Sequence, residues 1–192
     1  MTASTAPRHN RRKEARPGEL LEAALQLFLE KGYAGTRVET VAARAGVSKG
    51  TLFLYFPSKQ ELFKAVVRHN ISGSYASWHQ EMQSFKGSSA ELLAYAFEVW
   101  WHRIGNTPAG GISKLMMGEA DNFPELVSFY RQEVVEPGHA LVEHILQRGM
   151  DSGEFRTLPM AQAIYLVLTP MVFVMLWRHS SAQCIPAAPG LT

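Results

Sequence analysis

Residues 36–62, T-R-V-E-T-V-A-A-R-A-G-V-S-K-G-T-L-F-L-Y-F-P-S-K-Q-E-L, leave the backbone few options. Thr36 with Glu39 three residues later has the spacing of a capping box, in which hydroxyl and carboxylate satisfy the amides at a helix start. Val38, Val41, Ala42 and Ala45 then share one helical face, and Gly46 supplies the left-handed residue that closes a helix. Ser48 can cap a second helix, in which Leu52 and Phe56 sit four apart; Pro57 stops it, and Ser58 with Glu61 repeats the capping pattern. Helix, tight glycine turn and short helix make the pattern of a DNA-binding helix-turn-helix.

An ordinary helical hairpin shares that pattern, so the outward residues decide. With Leu52 and Phe56 inward, Lys49, Gly50, Thr51, Phe53, Leu54 and Tyr55 lie nearer solvent. Two aromatics and a leucine beside Lys49 and Lys59 make a poor solvated face. They suit a DNA groove, where ammoniums and hydroxyls meet phosphate and apolar groups meet thymine methyls. The run A-x-x-A-G-V-S-x-G-T-L-F-x-Y-F-x-x-K-x-x-L, residues 42–62, resembles the signature of the tetracycline-repressor (TetR) family of bacterial regulators, and the likeness extends over about residues 17–70.

Charge separates along the chain in the same sense. Residues 1–70 hold 12 Lys and Arg against 6 Asp and Glu, whereas residues 71–192 hold 7 against 11. A basic third joined to an acidic remainder fits one part that meets a polyanion and one that does not. Residues 1–16 read as a disordered basic arm in which Arg8, Arg11, Arg12, Lys13 and Arg16 are free to touch DNA. Residues 1–17 lack the apolar core of a secretory signal, and Cys184 is the one cysteine, so a reducing cytoplasm is the expected setting.

Pro17 is read as opening the first helix, whose buried face holds Leu21, Ala24, Leu25 and Phe28, and Gly32 closes it. The helix-turn-helix domain is expected over 17–62, and a helical regulatory and dimerisation domain over 63–179, joined through one helix over 58–85. Lys86-Gly87-Ser88-Ser89 reads as a linker, and Ser88 with Glu91 as the cap of the following helix. Asn122 can cap a helix beginning at Pro124, and Pro137-Gly138 marks a kink or restart before a stop at Asp151-Ser152-Gly153. Residues 119–126 also resemble a run found in many regulators of this family. No stretch alternates with a strand period, so the fold class is all-α. The tail over 180–192, with Pro186, Pro189 and Gly190, has no helical period. The resemblance would place one more helix there.

Residues 157–177 contain no charged side chain over 21 positions, which is long enough for a membrane span. Pro170 near the middle and the polar Gln162 weigh against a span. A helix apolar on most sides is also what a subunit interface buries. The resemblance implies that residues 159–179 pack against their copy in a homodimer, and no membrane is expected.

No catalytic or metal-binding group emerges. The histidines at 9, 69, 79, 102, 139, 144 and 179 are scattered, and no Ser–His–Asp grouping or phosphate loop is present. Neither an enzyme nor a cofactor is expected. The C-terminal part offers bulky apolar groups instead: Phe97, Trp100, Trp101, Met116, Met117, Phe123, Phe129, Tyr130 and Met171 are the candidate walls of a pocket for a small, flat, hydrophobic effector. The resemblance implies a repressor whose paired heads read a pseudo-palindromic double-stranded DNA operator. Its expected contacts are Lys49, Tyr55 and Lys59 to phosphate and Gly50, Thr51, Phe53 and Leu54 in the groove. Arg37 belongs to the same surface, and Thr36 and Ser48 set helix-start amides near phosphate. Position 53 is Phe where the family commonly has tyrosine, and Leu54 replaces a frequent polar residue. Two other readings stay open: a DNA-binding protein of this kind answering to a protein partner or to no ligand, and a helical interaction module that does not bind DNA.

Overall fold

The computed structural model describes residues 8–180, with side chains described from residue 17. Every regular element among these residues is helical. The chain divides into two compact units at Val66/Val67, a little beyond the expected boundary at 62/63.

The first unit contains α1 (Arg8–Gly35), α2 (Val38–Arg44), α3 (Lys49–Tyr55) and the first two turns of α4 (Lys59–Asn70). Helix α1 starts earlier than Pro17. Residues 8–16 are helical, which corrects the expectation of a disordered arm there; the earlier part of that arm, residues 1–7, lies outside the described residues. Arg, Lys, Glu and Ala in this segment are good helix formers, and Pro17 is carried inside the helix at the loss of one amide donor. Gly32 (φ 75°) breaks the helical path, as a residue without Cβ can. Leu20, Leu25, Leu27 and Phe28 from α1 meet Val41, Leu52, Leu62 and Phe63 in a core with essentially no exposure. Phe28, Tyr33 and Phe63 form a cluster of rings 5.2–5.7 Å apart.

At the break in α1 the backbone carbonyls are satisfied by two side chains from later in the chain. The buried Thr36 hydroxyl lies 2.7 Å from Gly32 O and 3.0 Å from Leu27 O, sharing its proton between them. Lys59 Nζ donates to Tyr33 O (2.9 Å), Thr36 O (3.2 Å) and Ala34 O (3.3 Å), and sits 4.5 Å from the Tyr33 ring centre.

The second unit begins in the last turn of α4. The single helix expected over 58–85 is interrupted: α4 ends at Asn70, a 3₁₀ turn covers Ser72–Ser74, and α5 runs over Tyr75–Gln83. Ser-Gly-Ser has poor helix propensity, and Ile71 (φ −130°, ψ −76°) turns the chain out of the helix. Helices α6 (Ser89–Trp100), α7 (Gly110–Gly118), α8 (Pro124–Tyr130), α9 (Glu136–Asp151) and α10 (Met160–His179) follow. The Ser88–Glu91 capping box forms in full. Residues 86–89 are not a free linker. Arg148 donates to the Gly87 carbonyl, and the fully buried Ser89 donates its amide (2.6 Å) and hydroxyl (3.0 Å) to Glu154. Phe123, not Asn122, holds the N-cap position of α8, with Pro124 in its first turn.

Two π-helical turns, Trp101–Gly105 after α6 and Arg131–Val135 between α8 and α9, widen the backbone. The second has a visible cause. Pro137 cannot donate to Glu133 O, and its ring would crowd that carbonyl, so the preceding turn loosens rather than kinking. Glu133 in this turn accepts from Arg68 at 2.8 Å and from Ser72 at 3.2 Å, tying it to the end of α4. Helix α10 packs on α7 and α9 through Ala163, Ile164 and Met175.

Replacing Thr36 by the isosteric valine should remove the hydroxyl bond shared by the Gly32 and Leu27 carbonyls, costing about 1–3 kcal/mol, read as a lower urea midpoint at unchanged slope. The hydrogen bond from Arg68, together with its charge, holds the Glu133 carboxyl below its ordinary value of 4.5. A depressed carboxylate stabilises the folded state fully above its unfolded value and loses that contribution as pH falls through the folded one. The melting temperature of Glu133→Gln should therefore lie below that of the parent at pH 7, with the gap closing below about pH 4 as the parent's carboxylate protonates.

Candidate nucleic-acid interface and an apolar cavity

The turn between α2 and α3 is built by backbone hydrogen bonds. Gly46 (φ 67°) follows the helix end, Val47 N donates to Ala42 O at 2.9 Å, and Gly46 N donates to Ala43 O at 3.1 Å. This paired closure fixes the exit angle from α2. Ser48 then caps α3, its Oγ accepting from Thr51 N at 3.0 Å and lying 2.9 Å from Thr51 Oγ1. Leu52, fully buried, anchors the helix from below. The opposite face is open: Leu54 is 85% exposed, Phe53 and Tyr55 each 37%. Gly50 lies in the first turn, where an added Cβ would meet only Ser48 Oγ at 3.7 Å, so the fold does not require glycine there. Its effect is to leave the helix start bare.

Both lysines near this face have partners within the protein. Lys49 Nζ lies 2.6 Å from Glu39 Oε1 and 5.6 Å from the Phe53 ring centre, and its hydrogen bond holds the Glu39 carboxyl below the usual range. Arg37 is exposed at the N-cap position of α2. Two expected roles change. Thr36 is not the cap of α2: its hydroxyl turns inward to α1, and no side chain caps that helix. Lys59 uses all three ammonium donors on carbonyls, so a phosphate contact would have to displace one of them.

In the second unit, Ile71 and α5 to α10 line a half-open cavity of about 390 Å³. Phe97, Trp100, Met116, Met117, Tyr130 and Met171 line it. Trp101, Phe123 and Phe129 do not. Trp101 lies over Gly105, where a Cβ would meet its ring at 2.6 Å, and Phe129 lies beneath the Arg68 guanidinium, 5.1 Å from its ring centre. Bulk alone could not show which way those rings turn. The lining also includes Tyr75, Trp78, Ser113 and His139, which the apolar count passed over. The spacing of Tyr75, Trp78 and Met82 on one face of α5 was the available signal.

The cavity's polar groups are few. Tyr75 OH donates to Val134 O at 3.2 Å, meeting a carbonyl of the second π turn, and Tyr130 OH lies 2.7 Å from Ser113 Oγ. Burial pushes both phenols well above their ordinary value. They serve as hydrogen-bonding groups and not as bases. Among the described residues no cluster of His, Cys, Asp and Glu could hold a metal ion.

Residues 20–66 match the family described as "Bacterial regulatory proteins, tetR family". The chain is 38% identical over 90 residues to the HTH-type transcriptional regulator RutR of Escherichia coli (strain K12), covering 47% of this chain and 41% of RutR. It is 33% identical over 98 residues to the HTH-type transcriptional activator FasR of Mycolicibacterium smegmatis, covering 51% and 44%. The chain thus spans less than half the length of these two relatives. Its fold is similar to that of the transcriptional regulator FadR from Bacillus subtilis in complex with stearoyl-CoA, with a TM-score of 0.75 at 19% identity over 88% of this chain and 89% of that one. The helix-turn-helix unit thus matches the family of bacterial regulatory proteins of the tetR type over residues 20–66, and the helical architecture of the described residues is similar to that of FadR.

Proposed function

We propose that this regulator is a homodimeric repressor that sets α3 of each subunit in the major groove of a pseudo-palindromic operator and is released by a small hydrophobic effector. The exposed face of α3 carries the DNA reading. Gly50 keeps the helix start clear for close approach, Thr51 and Tyr55 offer hydroxyls, and Phe53 and Leu54 offer apolar contact to thymine methyls. Ser48 and Arg37 flank this face. Lys49 exchanges Glu39 for a phosphate, a swap that costs little because both partners are solvent-exposed.

Helix α10 supports the dimer. Its length and apolar character would allow a membrane span, yet Ala163, Ile164 and Met175 bury one side within the unit. The other side exposes Tyr165, Leu166, Val172, Phe173 and Trp177 as a stripe at helical spacing. A stripe on one side suits a second protein surface better than lipid on all sides. Two such dimer-related heads would read half-sites roughly 34–36 Å apart, or a small multiple of that.

The cavity supports an effector rather than control by a protein partner or by no ligand, because 390 Å³ falls within the range of small-molecule sites. Its occupant touches the second π turn, which holds Arg68 of α4 through Glu133. An effector that binds better when this turn is displaced would shift the protein away from its DNA-binding state by that differential affinity and no more. A protein with these partners works in the cytoplasm, where the DNA is.

Gel shifts against the promoter of its own or a neighbouring gene, with and without hydrophobic compounds, test the whole reading. Absence of any duplex binding at low salt would overturn it. Lys49→Ala should weaken binding to all duplexes and lower the magnitude of the salt slope by about 1, whereas an unchanged slope removes Lys49 from the phosphate contacts. Phe173→Glu should give monomers in sedimentation at micromolar concentration and lose operator affinity by more than about tenfold, since both half-sites no longer bind together. A Phe173→Glu protein that stays dimeric would place the interface elsewhere.

A further inference from the structure

The outer face of α3 limits what it can recognise in a base pair. The major groove presents hydrogen-bond donors and acceptors and, on thymine, a C5-methyl group. The side chains that tell bases apart by hydrogen bonding are chiefly Arg, Lys, Asn, Gln, Asp and Glu. In α3, K-G-T-L-F-L-Y, only Lys49 belongs to that set. Its ammonium is held by Glu39 of α2, 2.6 Å away, so that carboxylate is engaged as well. The Thr51 hydroxyl, of a kind that does not by itself discriminate bases, lies 2.9 Å from Ser48 Oγ within the cap of the helix. Tyr55, the last residue of α3, is the contact expected for phosphate.

Apolar groups dominate what is left. Leu54, 85% exposed, is the most exposed of the large hydrophobic side chains among the described residues, and Phe53 beside it is exposed too. Gly50 lies four residues before Leu54 and three before Phe53, so both are its neighbours on the helix surface. Side chains of a helix lean toward its N-terminus, which carries these two over the turn that the glycine leaves bare. A leucine so placed is buried only by what docks there. Aliphatic surface meets a methyl group well and a base edge of bare donors and acceptors poorly.

We propose, resting on the DNA-binding reading above, that α3 identifies its operator by the C5-methyl groups of the major groove, with Leu54 as the specificity-determining side chain and Phe53 supporting it. Hydrogen bonding to base edges is then not the basis of discrimination. Two consequences separate this from readout by donors and acceptors. Uracil, which differs from thymine only in lacking the methyl, does not substitute for it. Cytosine methylated at C5 carries a methyl at the same place in the groove, so its methylation strengthens binding where plain cytosine is rejected.

The probe is a duplex selected by the full-length protein from a randomised pool, with the thymines in its footprint replaced by uracil singly and in symmetric pairs. At one or more thymines of each half-site the exchange should weaken binding about fourfold, and more than about tenfold when both half-sites carry it. Replacing such a T·A pair by C·G should also weaken binding, and methylating that cytosine at C5 should return about fourfold. Leu54→Ala, at a side chain the core does not use, should melt as the parent does and bind thymine and uracil duplexes within about twofold of each other. Uracil tolerated at every thymine, or a methylated cytosine no better than a plain one, overturns methyl reading. A Leu54→Ala protein that still separates thymine from uracil overturns the role of Leu54. If the pool yields no bound duplex at low salt, the DNA-binding reading of α3 itself fails, a result distinct from a loss of methyl discrimination.

Discussion

The end of α1 is the constraint on which the DNA-binding unit depends. A helix broken at Gly32 leaves partly buried carbonyls at its end that the helix itself no longer satisfies. One donor comes from Thr36, just before α2, and the others come from Lys59, at the start of α4. Two separate elements are thereby pinned to the same few backbone atoms, and α3 is strung between them. Its orientation follows from these two fixed ends, from the closure at Gly46 and from the buried Leu52. The outer face of α3 contributes less to the core, with Leu54 85% exposed. That is why Phe53, Leu54 and Tyr55 can stay exposed, and why their chemistry is free to be set by what they touch.

The second unit solves a different problem. Its helices line a sizeable half-open cavity, and the irregularities in the chain lie along its walls. Ile104 of the first π turn and Val134 and Val135 of the second all line it. A π turn exchanges the regular i to i−4 ladder for a wider loop with a freed carbonyl, and Tyr75 meets the one at Val134. The segment is held by a phenol on one side and by an ion pair on the other. The cavity wall at Val134 and Val135 is thereby contiguous in the chain with the Glu133 contact to Arg68.

Much of the first unit is legible in the sequence because it is written in local rules. Gly46 at a helix end, Ser48 as a cap and Leu52 pointing inward each follow from spacing alone, and each takes its expected place. Thr36 shows the limit of such rules. The interval from Thr36 to Glu39 satisfies the capping-box pattern, but a hydroxyl can also turn toward a neighbouring helix, and the unpaired carbonyls of α1 offered it the better partner. Lys59 is the same lesson with a charge: its partners lie 23 to 26 residues away. In the second unit spacing identified helices but not their inner faces. Trp101 and Phe129 are large and apolar yet turn from the cavity, while the polar Ser113 turns into it. Pro137 was readable as a disturbance, but whether it gave a kink or a π turn depended on the room that its neighbours left.

Helix α10 joins these two kinds of information. Its sequence is apolar almost all round, so periodicity cannot say which side is core, and a membrane, a buried position or a partner would all account for it equally. Packing shows which side faces the unit. Ala163 and Ile164 near the start and Met175 near the end seat one side on α7 and α9, and the small Ala163 lets the backbones approach. At the far end Lys114 donates to His179 O, and the His179 ring bonds Gly105 O, fastening the helix to the first π turn. Met171, Val172 and Met175 are also part of the cavity wall. The helix that presents the exposed apolar stripe is therefore the same helix that any occupant of the cavity touches. On the reading proposed above, an effector would act on a subunit interface and on the Glu133 turn through one set of contacts, with no separate relay required.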